Sequence, residues 1–226
     1  MRLGVLFSGG KDSCYACYRA REREEVICLI TVKPGNPESY MFHTPNIHWT
    51  RLQADAAGLP LVEVESSGEE EKELADLVQA IETARSEYRI EGVVTGAILS
   101  VYQATRIQRI CRNLDLWCFN PLWHTDQTEY MARLICKGFH VIVSGVFSAP
   151  FDESWLGREL NRKTIKELQK YSRTYRITLT GEGGEYETFV LDAPFFGKKI
   201  VIERATKEYH QYRGRYEIQS ARLVDK

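Results

Sequence analysis

The sequence lacks any apolar run long enough to span a membrane or to serve as a signal peptide. The apolar stretch nearest its start, Leu3 to Phe7, has five residues, whereas a membrane helix needs about 20 and a signal peptide about 7–15. No later run approaches ~18 apolar residues. We therefore expect a cytoplasmic protein that does not associate with membranes.

Cysteines are too few and too scattered for a disulfide-stabilised scaffold. All six lie between Cys14 and Cys136, and the last ninety residues contain none, unlike small secreted domains. We expect reduced thiols. The C-x-x-C pair Cys14 and Cys17 has two interpretations: two small side chains packed against a sheet, or a redox or metal-binding pair at a helix N-terminus, where the dipole lowers a thiol pKa.

The chain has almost no net charge, since 30 Lys and Arg balance 31 Asp and Glu to give -1. It therefore lacks the overall positive field that gathers nucleic acid, although a local basic patch stays open. A nucleic-acid partner is accordingly disfavoured. The 226 residues, 43% of them hydrophobic, are enough for one large core or two modest ones.

The first two thirds of the chain alternates short apolar runs with helix-like segments, a pattern typical of β-α-β units around a parallel sheet. After Gly145 the pattern changes to a helix followed by period-two stretches, which predict a smaller antiparallel sheet. The fold class predicted is α/β: an open, mostly parallel sheet with helices on both faces, plus a smaller α+β part. We expect two domains, 1–122 and 123–226, with a cleft between them. The predicted strands of the first pattern are Leu3–Phe7, Val26–Val32, Leu61–Val64, Gly92–Thr95, Trp117–Phe119 and Val141–Val146, and the predicted helices of the chain are Asp12–Arg23, Ile47–Ala57, Glu69–Tyr88, Tyr102–Leu114, Thr128–Lys137 and Arg158–Tyr171.

A glycine-containing hexapeptide, Ser8 to Ser13, stands where the first strand turns into the first helix. It has neither the Walker spacing nor the dinucleotide fingerprint, but its parts suit a phosphate. Gly9 and Gly10 allow close backbone approach, the helix N-terminus offers free amides, and Lys11 adds a positive charge. Ser8 and Ser13 add hydroxyl donors. The alternative is a plain glycine turn capped by the aspartate.

Asp12 is the unexpected member of the hexapeptide, because a carboxylate beside phosphates is repulsive. It would cap the helix, pair with Lys11, or hold a divalent cation that also binds ATP. The last option predicts Mg²⁺ as a cofactor with Asp12 as its ligand.

The hexapeptide resembles the signature of the PP-loop, or N-type ATP pyrophosphatase, superfamily, and the similarity covers roughly the first 120 residues. This resemblance implies that ATP is cleaved between its α and β phosphates and that a substrate is adenylated. Lys11 and the loop amides would then neutralise the departing pyrophosphate, with Lys11 and Asp12 as catalytic residues.

Two further loops follow strands whose carboxyl ends are expected at the same sheet edge. Met41 and His43 would line the adenine, although a packed loop explains the segment Tyr40 to Asn46 equally well. Gly96, with Ala97 and Ile98, would let the backbone approach the nucleotide. The next helix carries further candidates for substrate binding, Tyr102, Gln103 and Arg106, of which the first and last share a face.

An acidic segment, Glu182 to Thr188, is the most distinctive feature of the second half. It places Glu182, Glu185 and Glu187 around the pair Gly183 and Gly184, with Tyr186 between the last two acids. If a strand begins at Glu185, the carboxylates of Glu185 and Glu187 project from one face and repel each other unless they bind a cation, share a proton or face water. A solvated hairpin turn is the alternative.

The whole chain resembles the archaeal diphthine–ammonia ligases. The match rests on Ser8–Ser13, Tyr40–Asn46 with His48, Gly96–Ser100 with Tyr102, Gln103 and Arg106, Ser154–Arg158, and Glu182–Thr188 with Leu191–Pro194. This resemblance implies an enzyme that adenylates the carboxylate of diphthine on translation elongation factor 2 and converts it with ammonium to an amide. The acidic segment would then bind substrate.

Under this resemblance, we hypothesise that Glu185 and Glu187 hold the cationic substrate or the ammonium ion, and that one of them accepts its proton. Two other classes stay open from the sequence: a PP-loop enzyme that modifies tRNA, and an ATP sensor without catalysis. The oligomeric state is open too, with a homodimer among the options.

Overall fold

A computed structural model of the chain describes residues 1–34, 45–66 and 70–226. For residues 70–72 it describes the backbone only. Five parallel strands form the first sheet in the order β3-β2-β1-β4-β5. They are β1 (Arg2–Leu6), β2 (Glu25–Pro34), β3 (Leu61–Ser66), β4 (Gly92–Val94) and β5 (Trp117–Phe119). Leu3 and Val5 of β1 are almost fully buried, as expected for a central strand covered on both faces.

Helices cover both faces of this sheet, which confirms the predicted fold class. They are α1 (Lys11–Arg21), α2 (Thr50–Ala57), α3 (Glu70–Tyr88) and α4 (Val101–Asn113). α3 and α4 pack their apolar residues with Cys28, Ile30 and Val93 of the sheet, whereas α1 and α2 pack on a separate core. The predicted single helix Ile47–Ala57 is a short 3-10 turn, Ile47–Trp49, followed by α2.

Cys14 and Cys17 lie in α1 and are completely buried. Burial raises the pKa of the Cys17 thiol to about 12 and also raises that of Cys14 well above its usual value. A reactive thiolate needs the opposite shift, so the structure favours the packing interpretation of the C-x-x-C pair.

The second sheet is antiparallel, with the order β7-β6-β9-β8. It contains β6 (His140–Val146), β7 (Tyr186–Asp192), β8 (Lys198–His210) and β9 (Arg213–Asp225). This part of the chain also contains α5 (Gln127–Cys136), a 3-10 turn (Glu153–Trp155) and α6 (Arg162–Tyr175). Grouping Val141–Val146 with the parallel pattern was wrong, since β6 pairs antiparallel with β7 and β9. A buried apolar run after a helix looks the same in either kind of sheet.

The two sheets share a continuous core. One cluster of buried residues joins β1, α1 and α2 to β6, β7, α5 and α6. Hydrogen bonds add to this contact, because Val190 N of β7 donates to Gly9 O at 3.0 Å. The second sheet therefore lies directly against the hexapeptide. Among the described residues, no helix has both the length and the apolar character needed to cross a bilayer.

Candidate active site

A cavity of about 550 Å³ opens at the carboxyl ends of β1 and β4, a size typical of sites for small molecules. The hexapeptide, the start of α4 and the acidic segment surround it. Both apolar and polar side chains line it. The apolar lining includes Leu6, Ile30, Val32, Ile47, Leu77 and Ile107, and the polar lining includes Ser8, Lys11, Asp12, Ser13, Gln103, Glu182 and Glu187.

Gly9 and Gly10 shape the turn of the hexapeptide, and their predicted approach to a phosphate stays a prediction. Gly9 has φ +78°, in the left-handed region, and Gly10 is the N-cap of α1. The buried side chain of Gln53 holds the turn, since its Nε2 donates to Gly9 O at 2.9 Å and to Val190 O at 2.8 Å. A β-carbon on Gly9 would lie 2.3 Å from Gln53 Oε1. Glycine is therefore required here for two reasons: the positive φ angle and the lack of room for a side chain.

Lys11 lines the cavity but is only 2% exposed. Its Nζ donates to Asp12 Oδ2 at 2.9 Å and to the carbonyl of Thr180, and it stands 5.4 Å from the ring centroid of Tyr186. Burial lowers the pKa of Lys11, but Asp12, Tyr186 and Glu187 together outweigh that effect and the net shift is upward. The ammonium therefore stays charged and fixed in position.

The carboxylate of Asp12 is oriented by two donors. Besides Lys11, the hydroxyl of Tyr130 donates to Oδ1 at 2.8 Å, and Tyr130 is fully buried in α5. Asp12 makes no capping hydrogen bond to α1, so of the three predicted roles the structure realises the pairing with Lys11. Each carboxylate oxygen keeps a second acceptor site, and the side chain is 30% exposed, so Asp12 fits a cation shared with phosphates.

Within the described ranges, no cluster of three or more His, Cys, Asp or Glu side chains has metal-binding geometry. Mg²⁺ in nucleotide sites is commonly held by one or two carboxylates together with phosphates and water.

Gly96 allows the loop after β4 to touch the first turn of α1. A β-carbon on Gly96 would lie 2.8 Å from the Asp12 carbonyl carbon and 2.9 Å from Ser13 N. The neighbouring Ala97 N donates to Thr95 Oγ1 at 3.2 Å. Gly96 thus allows the loop to pack on α1, and because Gly96 and Ala97 also line the cavity, their contact with a nucleotide stays a prediction.

We expect Gly96→Ala to destabilise the protein by about 1–3 kcal/mol, because the atoms it would strike belong to the backbone and cannot rotate away. Urea unfolding measures this. Gly197→Ala is the matched control, since its β-carbon would meet only Ala56 O at an ordinary 3.6 Å. Equal midpoints for the two variants would refute the role given to Gly96.

Glu182 joins the acidic segment to the start of α4. Its Oε1 accepts hydrogen bonds from the amides of Ile98, Leu99 and Ser100 at 3.0–3.1 Å. Three converging amides form a concave anion site, and here that site is filled by the protein's own carboxylate. Ile98, predicted to contact a cofactor, therefore offers its amide to Glu182.

We expect Glu182→Gln to weaken this connection, because a neutral amide oxygen is a poorer acceptor for three donors than a carboxylate oxygen. Hydrogen exchange at Ile98, Leu99 and Ser100 should accelerate at least about tenfold, corresponding to roughly 1.4 kcal/mol. Glu203→Gln removes an exposed ion pair with Arg222 and should leave those amides unchanged. Exchange at the wild-type rate in Glu182→Gln would argue against the connection.

The structure separates the two carboxylates that were expected to act as a pair. β7 begins at Tyr186, and Glu185 turns back to Thr178, whose N and Oγ1 donate to its Oε1 and Oε2 at 2.5 and 2.8 Å. Glu185 is absent from the cavity lining, whereas Glu187 belongs to it. The expectation that both face one site was wrong, because the strand starts one residue later than assumed.

Glu187 stands in the cavity as a half-buried carboxyl group, and no donor within the described ranges bonds it. Burial raises its pKa from 4.5 to about 7, against the opposing charge of Lys11 and with further upward shifts from Asp12 and Glu182. A carboxyl group with a pKa near neutrality suits proton transfer.

Some of the other predicted site residues line the cavity and others do not. Tyr102 and Gln103 line the cavity, and Arg106 stacks on the Tyr102 ring with 3.3 Å from its guanidinium carbon to the ring centroid. Met41 and His43 lie outside the described residues. Tyr186 lies beneath Lys11, with its hydroxyl donating to Leu179 O at 2.7 Å.

Several residues that organise the site escaped the sequence analysis. Gln53 and Tyr130 sit within ordinary helices, and Thr180 precedes the acidic segment. Thr188 is part of that segment, but its hydroxyl accepts from Lys11 N at 3.1 Å across 177 positions of sequence. A polar residue in the buried stripe of a helix was the one available signal for Gln53.

Sequence comparisons place the chain among known proteins. A family model described as Diphthamide synthase N-terminal domain matches residues 1–117, and one described as Diphthamide synthase C-terminal domain matches residues 126–224. A protein named diphthine–ammonia ligase from Rattus norvegicus is 34% identical over 234 residues, covering 93% of this chain and 86% of that protein. Its namesake from Danio rerio is 34% identical over 231 residues, covering 93% and 89%.

Among solved structures, a chain titled "predicted subunit of tRNA methyltransferase" from Methanocaldococcus jannaschii aligns with a TM-score of 0.43 and 16% identity, covering 85% of this chain and 98% of that one. The assignment to a family rests on the sequence matches alone.

Proposed function

This chain belongs to the diphthamide synthase family, and from that premise we infer that it is a ligase that joins ammonia to diphthine on elongation factor 2, an amide-forming step of diphthamide synthesis. The observation that carries the inference is the match of both family models, which together span nearly the whole chain. Family membership favours this function over tRNA modification and over ATP sensing.

We propose that the reaction proceeds through an acyl-adenylate. A carboxylate is a poor acyl donor because its leaving group would be oxide. Attack of a diphthine carboxylate oxygen on the α phosphate of ATP expels pyrophosphate and forms a mixed anhydride. Ammonia then attacks the acyl carbon, AMP leaves with the bonding electron pair, and the nitrogen loses a proton to give the amide.

We propose 1–122 as the ATP-binding domain and 123–226 as the substrate-recognition domain.

The hexapeptide supports the first step. Lys11, held by Asp12 and Thr180, provides a fixed positive charge, and it lines the cavity together with Ser8 and Ser13. Fixed donors stabilise a departing pyrophosphate without having to reorganise during the reaction. Asp12 would hold Mg²⁺, which when bound neutralises phosphate charge.

Glu187 supports the second step. Its carboxyl group faces the cavity with a pKa of about 7, so near neutral pH it is available both as a carboxylate to attract a cation and as a proton acceptor. We propose that it holds the ammonium ion or the cationic group of diphthine, and that it takes the proton released during amide formation. Glu185 is given a structural role, the closing of the turn at Thr178.

The test is a reconstituted reaction with ATP, Mg²⁺, ammonium and elongation factor 2 that carries diphthine. We expect AMP and pyrophosphate in equal amounts with the amide, and a loss of about one mass unit on the factor, since a hydroxyl is exchanged for an amino group. AMP that appears only with tRNA would refute the assignment. The absence of AMP under every condition would favour a sensor.

A further inference from the structure

Two exposed apolar side chains stand at the mouth of the cavity. Leu99 is 39% and Val101 is 64% exposed, although both are residue types that folding usually buries. They alternate along the chain with Ser100 and Tyr102, which line the cavity. Leu99 and Val101 therefore mark the boundary where the cavity wall meets the outer surface.

The tip of the acidic segment lies next to them. Glu182 bonds the amides of Ile98 to Ser100, and the exposed Gly183 and Gly184 follow it directly and also line the cavity. Gly184 has no atom within 4 Å of the position a β-carbon would take, so nothing screens the backbone there. We call Leu99, Val101, Gly183 and Gly184 the mouth rim.

We propose that the mouth rim is the docking surface for the polypeptide that surrounds diphthine in elongation factor 2. The inference rests on the proposed function, in which the reacting group is a modified side chain of a folded protein. Such a side chain enters the cavity while its main chain stays outside, so the rim is the part of this molecule that the main chain meets. Apolar residues at that position gain free energy by leaving water on contact, and glycines permit close approach of a second backbone.

The proposal separates two recognition tasks. The cavity takes the small reacting group and ATP, whereas the rim takes the polypeptide. A change at Leu99 or Val101, neither of which lines the cavity, should therefore raise the KM for the protein substrate and leave the reaction of a minimal substrate unchanged. A residue of the cavity itself would affect both substrates.

The experiment compares diphthine-bearing elongation factor 2 with the free diphthine amino acid as substrates. Val101→Gln keeps a good helix former and adds no charge, and the Leu99→Gln/Val101→Gln double variant removes both apolar side chains. Trp117→Gln is the matched control: Trp117 is 66% exposed but begins β5, at the sheet edge opposite the cavity.

We expect the KM for the factor to rise severalfold in Val101→Gln and about tenfold or more in the double variant. A tenfold loss of affinity, about 1.4 kcal/mol, is an ordinary effect of removing two apolar contacts. Val101→Gln should use free diphthine and ATP as the wild type does, and Trp117→Gln should behave normally throughout. An unchanged KM for the factor in the double variant overturns the proposal, as does an equal loss with free diphthine in Val101→Gln.

A second copy of this chain could also cover the mouth rim. Sedimentation of the wild type and the double variant tests this, because it measures the oligomeric state of each. A dimer that dissociates in the variant would assign the rim to self-association and overturn docking of the factor. Failure of the wild type to amidate either substrate is a separate outcome, and it would instead refute the proposed function.

Discussion

Replacing Lys11 with methionine should lower the formation of AMP and pyrophosphate by about a hundredfold to a thousandfold, the scale on which removal of a single preorganised charge-stabilising group acts. Lys11 is the one side chain of the hexapeptide that brings a full positive charge into the cavity, and its Nζ is fixed by Asp12 and Thr180. Pyrophosphate release with saturating diphthine substrate measures the effect. The loss should appear in kcat, because the charge that develops on the leaving group is what Lys11 stabilises.

Methionine is chosen because the Lys11 stem is buried and a shorter side chain would leave a cavity. It keeps the apolar volume, and Asp12 retains the Tyr130 hydroxyl and partial exposure to water. We therefore expect a folded variant with the wild-type circular dichroism spectrum. Lys198→Met, which removes an exposed ion pair with Asp225, is the control and should keep full activity. Normal turnover of Lys11→Met would overturn the assignment of the hexapeptide.

Glu187→Gln should lower amide formation about a hundredfold or more, the usual contribution of a positioned proton acceptor. Adenylation is assigned to Lys11 and the hexapeptide, which this substitution leaves in place, so AMP should still form and exceed the amide as water consumes the intermediate. The measured quantity is the ratio of AMP to amide. A wild-type ratio and rate in this variant would contradict the proposed role.

Glu185→Gln is the matched comparison, with the same chemical change two residues earlier. Its carboxylate bonds Thr178 and does not line the cavity. We expect a stability loss of about 1 kcal/mol from the weakened hydrogen bonds, with amide formation within a few fold of wild type. Equal losses of activity in the two variants would restore the paired-carboxylate interpretation.

The raised pKa of Glu187 also predicts how stability depends on pH. The folded protein binds this proton up to about pH 7, whereas the unfolded chain releases it near its usual pKa of 4.5. Between these values folding takes up a proton, so raising the pH should lower the free energy of unfolding. Glu187→Gln, which cannot ionise, should lack this part of the decline, and urea unfolding at several pH values measures the difference.

The sequence predicted the fold class and most element positions, because buried strands and amphipathic helices leave their period in the sequence. β6 was misplaced because its buried apolar run is compatible with either sheet. Glu185 and Glu187 show the limit for the site. Alternation along a strand would place both on one face, but a single residue of difference in where β7 begins left Glu185 bonded to Thr178.

Contacts between distant parts of the chain could not be predicted from the sequence, and the reason is physical. Gln53 reads as one polar residue of a helix, and only the fold brings its amide to the carbonyls of Gly9 and Val190. Tyr130 and Thr188 reach the hexapeptide in the same way. Such polar groups are buried because they find partners, and those partners are set by tertiary packing.

The pairing of β7 with the hexapeptide has a consequence for protein engineering. Val190 N and the Thr188 hydroxyl bond Gly9 and Lys11, and Gln53 clamps the same pair of segments. Chimeras that graft the second half of another protein onto residues 1–122 would remove these supports from the hexapeptide. To change the substrate specificity of this protein, individual cavity side chains should therefore be replaced while β7, with Thr188 and Val190, is kept.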